Sequence, residues 1–247
     1  MSGILTAFSG GAFGELVLDI SGKASPDIPA LLSAAGWIGV AQPVRLLNTG
    51  NVNTLVIPSS LGLPDLTVDN ASATALIGGV KNGGAALRTQ IPVKVRNLGK
   101  IYGGGGQGGN GGSAWVSRTV QPGSVFQYAS GSAGTGGAGQ GFDSATSLTI
   151  SAAQTGQVGG SGHLAATGTF GGETGRGVAD AYGGNGGAGG TWGVAGIIGQ
   201  SDGGYSGDYD NAGATPRRAG QAAGYYADGY GFITWIAVGD CRGRTTA

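Results

Sequence analysis

The chain has 247 residues, 40% of them hydrophobic and 11% charged, with thirteen basic and thirteen acidic side chains. That length and hydrophobic content suit one large domain or two modest ones with a real core. A net charge of zero, with no run of either sign, leaves no electrostatic footprint for nucleic acid or an anionic bilayer, and the single Cys241 excludes an internal disulfide framework and a cysteine-only metal site.

Glycine is the outlier: 43 of the 57 glycines follow residue 100, so the composition changes near Tyr102. Glycine-rich aperiodic chains are often disordered, but disorder pairs low hydrophobicity with high net charge. Here all eight tyrosines and three of the four tryptophans lie in the glycine-rich part, and they need something to pack on.

The first residues, MSGILTAFSGG, have neither the positive segment nor the continuous apolar core of a secretory signal. The stretch 28–41 is too short and too interrupted to span a bilayer, which takes about 20 residues. The expectation is a chain made in a cytoplasm without a visible export signal. Residues 1–24 read as extended or irregular. The segment SPDIPALLSAAG then predicts one short helix near 26–35, with Ser25 as N-cap, Pro26 at the first helical position, Asp27 near the positive end of the dipole and Gly36 as the stop.

From Val44 onward the pattern predicts strands. VRLLNTGNV (44–52) and VKVRNLGKI (93–101) share a template of alternating apolar residues followed by Asn-x-Gly, and LTVDNASAT (66–74) is a weaker copy with Ser72 in the glycine place. Each copy is a strand that turns at an asparagine, which tolerates left-handed backbone. The spacing of Asn48, Asn70 and Asn97 suits successive coils of a solenoid, while Asn-x-Gly turns also occur in ordinary antiparallel sandwiches. Both readings make the N-terminal part mainly β.

Beyond Tyr102 come GGGGQGGNGG (103–112), GTGGAGQG (134–141) and GGNGGAGG (183–190), in which Gln107, Asn110, Asn185 and Ala188 recur every third residue. A period of three matches neither α-helix nor strand but a left-handed extended helix with three residues per turn. Glycine on two of its three faces lets neighbouring segments meet backbone to backbone. Collagen would need an unbroken repeat with abundant proline, and only Pro122 and Pro216 follow residue 102. A linker would not alternate with segments such as SAWVSRTVQPGSVFQYAS (113–130). The expected fold is therefore mainly β with irregular structure. It comprises an N-terminal β domain over 1–102, sandwich or solenoid-like, and a glycine-rich unit over 103–247, a bundle of stacked polyglycine II helices with loops projecting from its ends and a closing β-strand.

Residues that carry chemistry are sparse. His163 is the only histidine and reads as a polar loop residue, and no HxxxH, CxxC or calcium-loop spacing occurs, so no catalysis, metal or cofactor is expected. The GxGxxG-like match in 183–190 is followed by no helix to offer its N-terminus. In SDGGYSGDYDNAG the residues Tyr205, Asp208, Tyr209 and Asp210 combine rigid amphipathic rings with adaptable polar groups, the chemistry of binding loops. Tyr225 and Tyr226 in QAAGYYADGYG repeat that composition. Phe142, Trp115, Phe126, Tyr128 and Trp192 either pack on glycine or make contacts; Phe142 is placed with the contacts and the tryptophans with the packing.

The join RNLGKIYGGGGQGGNGG resembles the lead-in to the glycine-rich region of the tip adhesins on long tail fibres of T-even-type bacteriophages. The close, GYGFITWIAVGDCRGRTTA, is similar to the ends of many glycine-rich phage tail proteins, with Thr234, Trp235, Gly239 and Gly243 as the matching positions. The resemblance covers about residues 93–247. It implies a virion protein of the tail tip or fibre whose glycine blocks form a frame, and whose intervening loops read a host outer-surface protein or glycan. Residues 1–102 would join other tail subunits, with monomer and homotrimer both open. A structural tail-tip subunit without host contact and an ice-binding protein are the competing readings.

Overall fold

The computed structural model describes residues 14–37, 42–120, 125–170, 173–207 and 209–246. The three strands of the Asn-x-Gly template, Val44–Asn48, Leu66–Asn70 and Val93–Asn97, lie side by side in one parallel sheet, flanked by Leu16–Asp19 on one edge and Ile233–Ala237 on the other. A second parallel sheet follows the turns: Lys23–Ala24, Asn51–Asn53, Leu76–Gly78, Lys100–Tyr102 and Asp240–Arg242. A third joins Leu55–Ile57, Leu87–Thr89, Tyr225–Asp228 and Arg244–Thr245, again all parallel.

Parallel neighbours at this spacing mean that each template copy is one coil, which visits the three sheets in turn. The antiparallel sandwich is excluded, because hairpin-connected strands would pair antiparallel. Alternation points every second residue inward, so Leu18, Leu46, Val68 and Val95 stack in the core with at most 2% exposure.

The asparagines stack too. Asn48 donates from Nδ2 to Oδ1 of Asn70 (2.9 Å), Asn70 to Oδ1 of Asn97 (2.7 Å), and Asn97 to the carbonyl of Val238 (2.6 Å). Oδ1 of Asn48 and of Asn97 also accepts the N–H two residues on, from Gly50 and Gly99. All three side chains are fully buried, so the ladder satisfies amide groups that would otherwise cost free energy.

In the first coil the helix Ile28–Ala34 stands where later coils have a third strand, burying Ile28 and Leu32. Its N-cap is Asp27, whose Oδ1 accepts from the N–H of Ala30, and Pro29 lies in its first turn. The expected cap, Ser25, instead takes a left-handed corner (φ 45). Asp27 wins because Pro29 suits the first turn of a helix that starts two residues later than expected.

The corner between the second and third sheets is where the chain leaves the solenoid. It takes one residue in the second coil (Thr54, φ 50) and one in the last (Gly243, φ 127), whereas the third coil spends 79–86 there and the fourth 103–224. Residues 225–246, expected with the glycine-rich unit, return to finish the fourth coil and build the fifth, so strand pairing assigns them to the solenoid. Gly239 (φ 58) and Gly243 mark the corners of that last coil.

Within the excursion, segments without strand pairing are tied by backbone hydrogen bonds that recur every third residue. The N–H groups of Gly105, Gly108 and Gly111 reach the carbonyls of Gln140, Gly137 and Gly134, while those of Gly106 and Gly109 reach Val194 and Ile197. Gly184, Gly187 and Gly190 donate to Gly112, Gly109 and Gly106. Thr215, Arg218, Gln221 and Gly224 donate to Ser113, Asn110, Gln107 and Gly104. One segment thus bonds neighbours in several directions, which a flat sheet cannot do.

The contacts leave no room for side chains. A Cβ on Gly109 would lie 1.9 Å from the carbonyl of Arg218, and one on Gly186 2.1 Å from that of Thr135. The third positions behave differently. Asn110 and Asn185 are half-buried, and their Oδ1 atoms accept the N–H groups of Gly136 and Gly159 (both 3.0 Å).

Candidate functional site

The pairing directions sort the connections between glycine segments into two groups. Segments 113–120, 125–131, 161–170, 173–182, 204–207 and 209–214 lie together at the end away from the coils, where 112, 134 and 184 meet; 141–153 and 191–193 lie against the coils. The far connections, expected as loops, are largely strands. Ala114–Val120 pairs antiparallel with Val125–Gly131 and Asn211–Ala214, and Glu173–Tyr182 pairs with Ser161–Phe170 and Gly204–Gly207. The two three-stranded sheets pack through Ala114, Val116, Ala129, Leu164, Ala179 and Ala181, small side chains that suit a thin head.

Three of the expected contact residues, Tyr205, Tyr209 and Asp210, are exposed on this head. Tyr205 and Tyr209 are each 41% exposed, and their rings meet edge to face with centroids 5.2 Å apart. The backbone N–H of Asp210 donates to the carbonyl of Ser117, which fixes the loop to the neighbouring sheet. Asp208 lies outside the described residues.

The other expected contacts belong to the base. Phe142 has 0% exposure and packs edge to face with Trp192 (6.0 Å), beside Leu76 and Tyr102. It leaves no face for a receptor, and its expected role is withdrawn: it fills the joint between shaft and coils. Tyr225 and Tyr226 lie in the third solenoid sheet. Arg244 stacks its guanidinium over Tyr225 at 4.2 Å, and Tyr226 packs with Tyr230 and Trp235. Their tyrosine-aspartate composition looked like a binding loop, but strand Tyr225–Asp228 is held between Leu87–Thr89 and Arg244–Thr245.

The joint is braced by polar contacts. Nδ2 of Asn53 donates to the carbonyls of Ser144 (2.6 Å) and Ser147 (2.7 Å), and Lys81 pairs with Asp143 at 3.0 Å. The third-coil excursion adds backbone bonds: Gly83 N–H to Gly105, Gly104 N–H to Gly84 and Lys81 N–H to Phe142.

Sequence reasoning placed Trp115 with the packing residues, yet it is 38% exposed beside Tyr128, which is 58% exposed. A tryptophan that faces outward from a strand with small inward neighbours was the available signal. His163, expected in a loop, is in strand Ser161–Phe170 with Nδ1 2.5 Å from Oδ1 of Asp180, and that contact holds the Asp180 carboxyl below its usual range. The register puts Ser206 on the far side of Asp180. His163 and Ser206 thus flank Asp180, two strand spacings or about 10 Å apart between backbones, and the Ser206 hydroxyl is within 3.3 Å of the Tyr182 hydroxyl. Among the described residues no group of three or more His, Cys, Asp or Glu is placed to hold a metal ion.

The fold is thus a solenoid base, a glycine-packed shaft and a head with exposed aromatic rings, an arrangement of surfaces rather than of catalytic groups. The family model described as phage tail fibre adhesin Gp38 matches residues 67–246, and the chain belongs to that family. It is a receptor-binding adhesin of a bacteriophage, located in the tail fibre of the virion. Among solved structures the chain is similar to the crystal structure of the gp37-gp38 adhesin tip complex of the bacteriophage S16 long tail fiber, at 19% identity. That match covers 94% of this chain and 82% of that chain, with a TM-score of 0.49. No curated protein sequence matches the chain.

Proposed function

We propose that the adhesin reads its host through the head formed by 113–131, 161–182 and 204–214, carried on a bundle of polyglycine II helices and seated on the fibre through the solenoid. The observation that carries this reading is the cluster of exposed aromatics on the head. Tyr205, Tyr209, Trp115 and Tyr128 are exposed there and Phe142 and Trp192 at the joint are buried, while the exposed Tyr230 and Phe232 lie on the coils, the part proposed for attachment. The period-three hydrogen bonds and the glycine carbonyl contacts support the helix bundle.

The division of labour follows: residues 1–102 together with 225–246 serve attachment to other tail fibre subunits, and 103–224 serve recognition. Tyr205, Asp208, Tyr209 and Asp210 are the proposed receptor contacts, and the receptor is a host outer-surface protein or glycan. The mechanism is binding without catalysis. A scaffold whose backbone is already hydrogen bonded loses little conformational entropy when its head engages a receptor.

The test is competition and adsorption. The full soluble chain in excess should block infection, and virions carrying Tyr205→Ala with Tyr209→Ala should assemble normally yet adsorb at least about tenfold more slowly, a loss on the scale of one or two interface anchors. Normal adsorption by the double variant, or failure of the wild-type chain to compete, would favour a structural tail subunit without host contact.

A further inference from the structure

The outer face of the sheet that contains Ala114–Val120 carries a feature that receptor contact through the tyrosine-aspartate loop does not use. Strand alternation and register put six residues on that face in two rows, Ser130, Trp115 and Gly213 in one and Tyr128, Ser117 and Asn211 in the other. Trp115 and Tyr128 are nearly parallel, 19° between planes with centroids 6.2 Å apart. The indole lies across Gly213: a Cβ there would come within 2.6 Å of its Nε1 and 2.9 Å of Cε2. Glycine at 213 is therefore what allows the ring to lie flat. Ser117, at 3% exposure, is covered by its neighbours and forms the floor.

We infer that this shelf is a subsite for a neutral sugar ring of a host surface glycan, a proposal that rests on the adhesin reading and names one ligand class for it. A pyranose has a face of C–H groups and a rim of hydroxyls. The C–H face complements the negative π-face of an aromatic ring, and Trp115 and Tyr128, near-parallel and both part-exposed, offer such faces within one sugar length of each other. The exposed Asn211 amide and Ser130 hydroxyl at the margins supply donors and acceptors for the rim.

Other occupants fit less well. None of the six positions is charged, so an anionic ligand finds no cation among them. A quaternary ammonium group is held by several rings set at angles as a cage, whereas these two are close to parallel. A protein partner needs roughly 1,200–2,000 Å² of total buried surface, and two ring faces supply a small part of that.

The experiment uses the full-length chain, with neutral trisaccharides of galactose and N-acetylglucosamine and the oligosaccharide released from lipopolysaccharide of the plating host as probes. Saturation-transfer NMR should show contact to sugar C–H protons, and tryptophan emission should shift on titration. Both signals should vanish in Trp115→Ala. Tyr128→Ala should weaken affinity by roughly five- to tenfold, the worth of one aromatic contact. Trp115→Phe, which keeps a ring, should retain measurable binding, and Gly213→Ala, which lifts the indole, should weaken it; equal thermal midpoints show that both fold.

Absence of binding by every probe, or undiminished binding by Trp115→Ala with Tyr128→Ala, overturns the inference. If virions still adsorb through Tyr205 and Tyr209 in that case, the adhesin reading stands and the glycan shelf alone fails. If the shelf variant loses adsorption while no sugar binds, the shelf contacts a protein and the inference is likewise overturned.

Discussion

Asn70 lies midway in a chain of buried amides, donating to Asn97 at 2.7 Å and accepting from Asn48 at 2.9 Å. Its side chain links three coils whose asparagines are 22 and 27 residues apart in sequence. Asn70→Ala takes from buried Asn48 its short amide partner, leaving a 3.5 Å contact to the carbonyl of Leu76, and takes from Oδ1 of Asn97 one of two donors, leaving the Gly99 N–H. The expected loss is about 1–3 kcal/mol, from two buried hydrogen bonds at about 0.5–1.5 kcal/mol each, read as the shift in a denaturant midpoint at unchanged slope. A loss below about 0.5 kcal/mol would mean that the ladder follows the fold without holding it.

Glycines packed in the shaft should tolerate substitution far less than an open glycine on the head. Gly186→Val and Gly109→Ala drive a Cβ into the carbonyls of Thr135 and Arg218, which are backbone atoms that cannot rotate away, and should cost about 3 kcal/mol or more or prevent assembly. Gly204→Ala has nothing within 4 Å of the new Cβ and should change stability by no more than about 0.5 kcal/mol. Equal midpoints for Gly109→Ala and Gly204→Ala would refute close glycine packing.

The two groups of aromatics should separate stability from adsorption. Phe142→Ala empties a fully buried site and should cost about 3–5 kcal/mol. Any virion that retains a folded Phe142→Ala chain should still recognise the host. Tyr205→Ala with Tyr209→Ala should do the reverse, keeping the thermal midpoint within a few degrees while adsorption falls. His163→Ala should leave adsorption and infectivity unchanged, and loss of infectivity in a folded chain would point to chemistry at the head.

The last coil should loosen at both ends of the pH scale. Thr246 first, then Arg88, holds the Asp228 carboxyl below its usual 3.8; Arg242 and then Tyr102 do so for Asp240. A depressed folded pKa contributes stability above the unfolded value, lost as pH falls through the folded one, so the acid transition lies below about pH 4. Desolvation and the bond to Asp240 push the Tyr102 phenol from 10.0 up to about 12, and desolvation pushes the Cys241 thiol from 9.0 to about 11. Raised folded values contribute stability below the unfolded pKa, lost as pH rises through the folded ones, so the alkaline transition runs from about pH 9 to about 12. Thermal midpoints across pH check both limbs, and Cys241→Ser should remove the earlier part of the alkaline loss.

The repeat at Asn48, Asn70 and Asn97 was visible because a coil places the same chemistry at the same corner each turn. The period of three in the glycine tracts was visible because a residue without Cβ must recur wherever backbones touch. Local chemistry of that kind depends only on neighbours in the chain. It also suggested the loop of Tyr205 and Tyr209, whose rings are exposed on the head.

Long-range pairing decided the rest. Nothing around Phe142 or Tyr226 distinguishes a ring that packs from one that binds, because that depends on Trp192 in the first case and on the pairing of Tyr225–Asp228 with Leu87–Thr89 in the second, both far away in sequence. The same limit hid the return of 225–246 to the solenoid and the flat setting of Trp115 over Gly213. The amino-acid order by itself determined which residues turn, alternate or lack a side chain. Only the tertiary structure decided which aromatic faces were left to water, since burial is a property of what the rest of the chain brings alongside.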